Sequence, residues 1–351
     1  GGLIWRHTAE GLKSNGESWL RDTTMRKEEL GSGQYPLDSI PLPARHLLPM
    51  EKYRLGTRDG RTHFTSIQTA RGCPWRCIFC CSDSLKTTRY IMKSPKRGGE
   101  EMKDIKTRWP FITHLYFADD VLTFWPEHIT EICYRMEAEG LEFTFEGSTR
   151  ANLVNDKLIA RLARFGLVRL TFGLETVDPV MRVTMQKKVP LEAYTVANRI
   201  CNEHGVEAMN SLMIGLPGET LESVKATITW VAKSRDIKQA NLAIAIPYPG
   251  TEFHDMATSG AHGVELLEED FSKYMRYGNA VTNVGDLTAK DLIKLQNWGF
   301  VKIYFMPWRW MPVVHKHGII GFMMQFIRLF RVWKDWLLDR TKPFRTHPGL
   351  P

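Results

Sequence analysis

The chain has 351 residues, of which 43% are hydrophobic and 25% charged, the composition of an ordinary globular protein with room for one large domain and appendages. No fixed-period repeat or low-complexity tract is visible, which excludes solenoid and collagen-like classes. The net charge of +8 is local: residues 301–351 hold nine Lys or Arg against Asp335 and Asp339, so the remainder is nearly neutral and nucleic acid is not indicated as a partner.

Residues 1–55 are polar and turn-rich, with Pro36, Pro41, Pro43 and Pro49 near the end, and read as a linker or arm. From about residue 60 the pattern alternates. Strands are expected at His63–Thr69, His114–Ala118, Glu142–Glu146, Val168–Gly173, Ala208–Ile214 and Asn241–Ile246. Helices are expected at Glu100–Arg108, Glu127–Glu139, Asp156–Phe165, Leu191–His204 and Leu221–Lys233. Six strands alternating with helices imply a parallel α/β sheet, a partial barrel over residues 56–260, with its chemistry at the C-terminal strand ends. Residues 261–351 read as a helical extension. Its segment Gly318–Leu338 carries Gln325, Arg328, Arg331 and Asp335 as a narrow polar stripe. It is too often interrupted by charge to span a bilayer, and reads either as a helix packed on the barrel or as an interfacial or docking helix. The chain begins Gly1-Gly2-Leu3 without an initiator Met, as a piece of a longer protein would.

Of six cysteines, four lie within nine residues: Cys73, Cys77, Cys80 and Cys81. This clustering argues against a disulfide framework and for a metal site in a reducing, cytoplasmic compartment. The spacing Cys73-x3-Cys77-x2-Cys80 lets three thiolates hold three iron corners of an iron–sulfur cluster from one loop, leaving the fourth iron open. A structural zinc site would want four ligands in paired clusters, and a redox dithiol only two cysteines. Cys81 reads as a neighbour rather than a ligand, since adjacent residues rarely aim both side chains at one metal. An electron carrier normally supplies all four cluster ligands, so three favour an enzyme.

With Phe79 before Cys80, the loop resembles the signature of the radical S-adenosylmethionine (SAM) superfamily. The resemblance implies a radical SAM barrel with a four-iron, four-sulfur cluster on Cys73, Cys77 and Cys80, SAM on the open iron, and an external electron donor. It also implies a cofactor site at successive strand ends. Gly98-Gly99-Glu100 resembles the family's amine-binding motif but is set aside, because it precedes a helix rather than following a strand. Asp120, with Asp119 as alternate, stands at the second strand end, where it either holds the SAM amine or caps a turn. Arg150 and Ser148 follow the third strand as partners of the SAM carboxylate, or Arg150 forms an ordinary ion pair. Glu175 stands at the ribose position, or is a buried paired carboxylate. Gly215 allows backbone close to adenosine, Pro247 lines the adenine side, and Glu219 serves the next helix start.

The strings STRANL, FGLET, IGLPGET and PYPGT resemble the cobalamin-associated branch, which includes carbon methylases and the anaerobic magnesium-protoporphyrin monomethyl ester cyclase type. Residues 37–45 resemble that branch's linker. The Asp-x-His-x-x-Gly loop of its cobalamin domain is not in this chain, so cobalamin follows from resemblance alone. Methylation of an unactivated carbon is the first expectation, and oxidative ring closure the second. An RNA methylthiotransferase-like activity is weighed and set behind them, because the helical, aromatic C-terminus does not read as an RNA-binding β-barrel. The basic, aromatic tail points to a membrane surface or a large lipid- or tetrapyrrole-like substrate.

Overall fold

A computed structural model describes residues 5–8, 11–14, 35–57, 60–82, 90–309 and Met323. The chain divides into two compact units: residues 1–76, 82–148 and 161–167, and residues 77–81, 149–160 and 168–351. A short hairpin, β1 (Trp5–Thr8) with β2 (Gly11–Ser14), opens the first.

In the first unit β3 (Arg54–Thr57) pairs antiparallel with β4 (Gly60–Ile67), and β4, β7 (His114–Phe117) and β8 (Thr144–Thr149) run parallel in that order. Between β4 and β7 the short strands β5 (Ala70–Arg71) and β6 (Ile91–Met92) pair antiparallel across the cysteine segment. The first helix, α1, covers Pro95–Arg108 and starts five residues earlier than the sequence suggests. Ser94 caps it by accepting from Arg97 N, with Pro95 at the first helical position, where its missing N–H is harmless. Gly98 and Gly99 therefore lie inside α1, not ahead of it. A Cβ on Gly98 would stand 3.5 Å from Ile132, and one on Gly99 3.6 Å from Arg135, both on α2 (Pro126–Ala138). From Tyr35 the arm is folded onto this unit: Leu37 and Met50 are buried, Ser94 N donates to Asp38 Oδ1 at 2.7 Å, and Arg97 Nη2 donates to Ile40 O at 3.1 Å.

In the second unit β9 (Leu167–Glu175), β10 (Glu207–Ile214) and β11 (Gln239–Ile244) run parallel, in the order 9-10-11, and α3 (Asp156–Arg164) leads into them. Period-two alternation gives this sheet two unlike faces. Leu170, Phe172, Leu174, Leu212, Ile214, Leu242 and Ile244 are buried on one. Arg169, Thr171, Met209, Ser211, Met213, Gln239 and Asn241 are only half-buried on the other. The parallel strands need crossovers, and α5 (Leu191–Glu203) and α6 (Leu221–Lys233) supply them. The short helices α4 (Pro179–Thr184) and α7 (Glu252–Ser259) were not anticipated.

Residues 265–288 hold no α-helix, contrary to expectation. β12 (Val264–Leu266) and β13 (Thr282–Val284) form an antiparallel pair, with 3-10 turns around them. α8 (Ala289–Tyr304) then packs along β11. Gln296 Nε2 donates to Leu242 O at 2.7 Å and to Arg276 O at 2.9 Å, and Ile244 N donates to Arg276 O at 2.9 Å. Tyr304 Oη donates to Ala240 O at 2.5 Å and accepts from Ala240 N at 3.3 Å. Side chains and a loop thus satisfy the main-chain groups that a further strand would otherwise take. The segment Gly318–Leu338 lies outside the described residues, apart from Met323. Among the described residues no helix is long and apolar enough to cross a membrane.

Candidate active site

The approach to the cysteines is fixed by two carboxylates that follow β7. Asp119 Oδ1 accepts from Thr69 N at 2.7 Å and Ala70 N at 3.0 Å, and its Oδ2 accepts from Thr69 Oγ1 at 2.6 Å. Burial pushes Asp119 up to about 6, against the pull of those three donors. Asp120 Oδ2 accepts from Gly72 N at 2.9 Å, where the chain turns through φ +95°. Asp119 is thus committed to the loop, and Asp120, which is half-buried, is the more accessible of the two. Cys73 follows directly and is half-buried. Ser148, at the end of β8, accepts from Leu122 N through its carbonyl at 2.8 Å.

The rest of the loop belongs to the second unit. Cys80 N donates to Cys77 O at 2.9 Å, a turn that sets these two cysteines close in the chain path. Ile78 O accepts from Phe253 N at 3.0 Å, which ties the turn to α7. Phe79 packs against the apolar cluster of Met181, Met185, Leu216 and Phe253, so its ring anchors the loop. None of the six cysteines is in a disulfide.

Around Cys77 stand Lys187, Arg150 and Glu175. Burial pushes the Cys77 thiol up, and the cations Lys187 and Arg150 pull it back down. Glu175 closes β9 with φ +61°, the left-handed region that an L side chain enters only when its surroundings hold it there. What holds it is a buried ion pair, Lys187 Nζ to Glu175 Oε1 at 3.3 Å. Burial pulls the Lys187 ammonium down, but Glu175, Tyr194 and Cys77 together more than offset this, and its net shift is upward. Gly173 makes room for the pair, because a Cβ there would collide with Glu175 Oε1 and Lys187 Nζ. Its carbonyl accepts from Tyr194 Oη at 2.7 Å. Glu175 is thus a buried, paired carboxylate at the end of β9. Lys187 is missing from the sequence reading, since it lies in the turn after α4, away from any strand end.

Gly215 has φ +86°, and its N–H donates to Glu219 Oε2, which also accepts from Leu216 N at 3.3 Å. Glu219 therefore does not serve the helix start. Thr220 caps α6 with Ser223 in a reciprocal box, and Glu219 turns back to hold the strand-end loop. Burial pushes its carboxyl up to about 8. Pro247 O accepts from His254 Nδ1 at 3.0 Å.

Cys73, Cys77 and Cys80 are soft donors of the kind an iron–sulfur cluster takes, and cations beside Cys77 suit both thiolate and an anionic cluster. Among the described residues no three His, Cys, Asp or Glu side chains converge as ligands of one ion. A cubane does not require that convergence, since each of its thiolates binds a different iron. The residues present therefore fit such a cluster.

A strand-led cysteine loop on a parallel α/β sheet, with charged groups at the strand ends, defines a cluster-binding partial barrel. Residues 67–231 match the radical SAM superfamily, and the chain belongs to it; its relatives include methylases and an anaerobic magnesium-protoporphyrin monomethyl ester cyclase. It is 31% identical over 271 residues to an uncharacterized methyltransferase of Pyrococcus horikoshii, covering 77% of this chain and 57% of that protein. It is 30% identical over 214 residues to the hopanoid C-3 methylase of Methylococcus capsulatus, covering 60% of this chain and 39% of the methylase. The chain thus spans about half the length, or less, of these curated relatives. Among solved structures, the radical SAM methyltransferase TsrM of Kitasatospora setae superposes with a TM-score of 0.55 at 18% identity, covering 76% of this chain and 51% of that one. The likeness shows the shared fold, an α/β partial barrel.

Proposed function

We propose that this chain is the SAM-cleaving core of an enzyme that methylates an unactivated carbon of a large apolar substrate. The observation that carries the reading is the cysteine loop with Cys77 set beside Lys187, Arg150 and Glu175. The relatives named as methylases support the choice of reaction. When bound, a four-iron, four-sulfur cluster would supply one electron, drawn from an external donor, for cleavage of SAM into methionine and a 5′-deoxyadenosyl radical. Cys73, Cys77 and Cys80 would hold that cluster.

The chain's own residues have definable tasks. Arg150 presents a guanidinium suited to the methionine carboxylate. The Glu175–Lys187 pair offers carboxylate acceptors and an ammonium donor toward ribose hydroxyls, already desolvated and held in place. Gly215, kept in its turn by Glu219, leaves backbone open to a close approach by the adenosine. Cobalamin is bound in the structural relative TsrM. The tail's aromatic, basic composition supports an apolar substrate or a membrane surface as its partner.

The test is anaerobic reconstitution with iron and sulfide, reduction, and addition of SAM. Release of 5′-deoxyadenosine is expected, with S-adenosylhomocysteine marking methyl donation. Retention of the cluster with neither product would refute the reading.

A further inference from the structure

The folded arm and β4 of the first unit enclose a cavity of about 320 Å³ that no part of the proposed reaction uses. Its lining holds three cations, Arg45, Arg71 and Lys93, against one carboxylate, Glu101. Glu101 is fully buried and both its oxygens are taken, Oε1 by Arg45 Nη2 and Oε2 by Lys93 Nζ, each at 2.6 Å. Arg45 is buried as well. Its Nε donates to Thr65 Oγ1 at 3.1 Å and its Nη2 also donates to Ser66 O at 2.6 Å, but Nη1 has no hydrogen-bond partner. Arg71 Nε donates to Gln68 Oε1 at 2.6 Å, and among the described residues its two terminal nitrogens make no hydrogen bond. Asp120 is the carboxylate that faces Arg71, and it is itself bonded to Gly72 N.

One buried carboxylate cannot satisfy this much cationic donor capacity. A buried guanidinium with an unmade hydrogen bond is costly, so the arrangement favours an anion that enters. Guanidinium ends match the geometry of phosphate and carboxylate oxygens. The arm's side of the wall is apolar, with Leu37, Ile40, Pro41 and Pro43, while β4 and the residue after it bring Thr65, Ser66 and Gln68. We propose that the cavity is an anion-binding site taking an oxyanion group, phosphate or carboxylate, attached to a small apolar body. Arg45 and Arg71 hold the oxyanion, and the proline-rich wall receives the body.

Calorimetric titration of the full chain at fixed ionic strength tests this, with inorganic phosphate, phenyl phosphate, acetate and benzoate as probes. Saturable binding is expected, tighter for the aryl member of each pair, and the phosphate and carboxylate arms distinguish the two sources. Arg71→Gln, which leaves the Arg45–Glu101–Lys93 network untouched, should weaken binding at least tenfold without lowering the ligand-free melting temperature. In the unaltered protein, phenyl phosphate should slow phenylglyoxal modification of Arg71, mapped by peptide mass spectrometry, and leave the exposed Arg199 unprotected. No saturable heat with any probe, equal affinity in Arg71→Gln, or no protection of Arg71 would overturn the proposal.

Discussion

Glu219 and Asp119 are buried carboxyl groups whose affinity for protons rises on folding, to about 8 and about 6 from ordinary values of 4.5 and 3.8. In both cases the fold favours the protonated form over the unfolded chain. The stability they contribute is therefore complete below pH 3.8–4.5 and is lost as pH climbs through about 6 for Asp119 and about 8 for Glu219. Glu219→Gln keeps an acceptor for Gly215 N and Leu216 N but cannot titrate. Urea-unfolding free energies should fall between pH 6 and 8 in the unaltered protein and stay level across that window in the variant; equal slopes would show that Glu219 does not titrate there. The Glu175–Lys187 pair makes a second case. Lys187→Met strands a buried carboxylate and should cost about 3–5 kcal/mol, whereas Glu175→Gln combined with Lys187→Met should recover most of it. A double-mutant cycle by chemical denaturation measures the coupling directly. At the cysteines, iron assay after reconstitution should find Cys80→Ala depleted and Cys81→Ala close to the parent. Several of these residues were named from sequence, yet their tasks were only half legible. The spacing of the cysteines is a local signal, and so it was readable. Lys187 meets Glu175 only because the turn after α4 folds back over the end of β9, and no local pattern records that. Glu219 was misread because an acid just ahead of a helix ordinarily serves its first turn, a place that here belongs to Thr220 and Ser223.

Elements were read more reliably where burial is two-sided or strictly periodic. The strands β7 to β11 show their alternation in the sequence, and the structure bears out the parallel α/β order. The start of α1 was missed because Gly98-Gly99 has poor helix propensity, and tertiary contact with α2 overrides it. That contact yields a prediction. Gly98→Ala places its methyl at ordinary contact distance from Ile132 and removes a helix-interior glycine, so stability should be unchanged or higher by about 0.5–1 kcal/mol. Thermal melts check this, and SAM binding to the reconstituted variant should be unaltered; loss of binding would restore Gly98-Gly99-Glu100 as an amine site. The helix expected over residues 265–288 gives way to a short β pair. The β12–β13 pair contains only three residues per strand, too few for a period to register.

For the molecule as a whole, the composition allowed a large core and placed excess charge in one tail. The division into two compact units was not legible, because α3 and the cysteine loop each contribute to both and carry no linker-like composition. The row of acceptors and donors along β11 has a consequence for how this protein can be handled. Gln296 and Tyr304 act as substitutes for a neighbouring strand. Cutting the polypeptide ahead of Ala289 would leave a bare hydrogen-bonding margin at Ala240 and Leu242, ready to recruit the same margin of another molecule. Light scattering should detect self-association in such a shortened form at concentrations where the parent stays dispersed. The α8 helix thus acts as a guard against clumping.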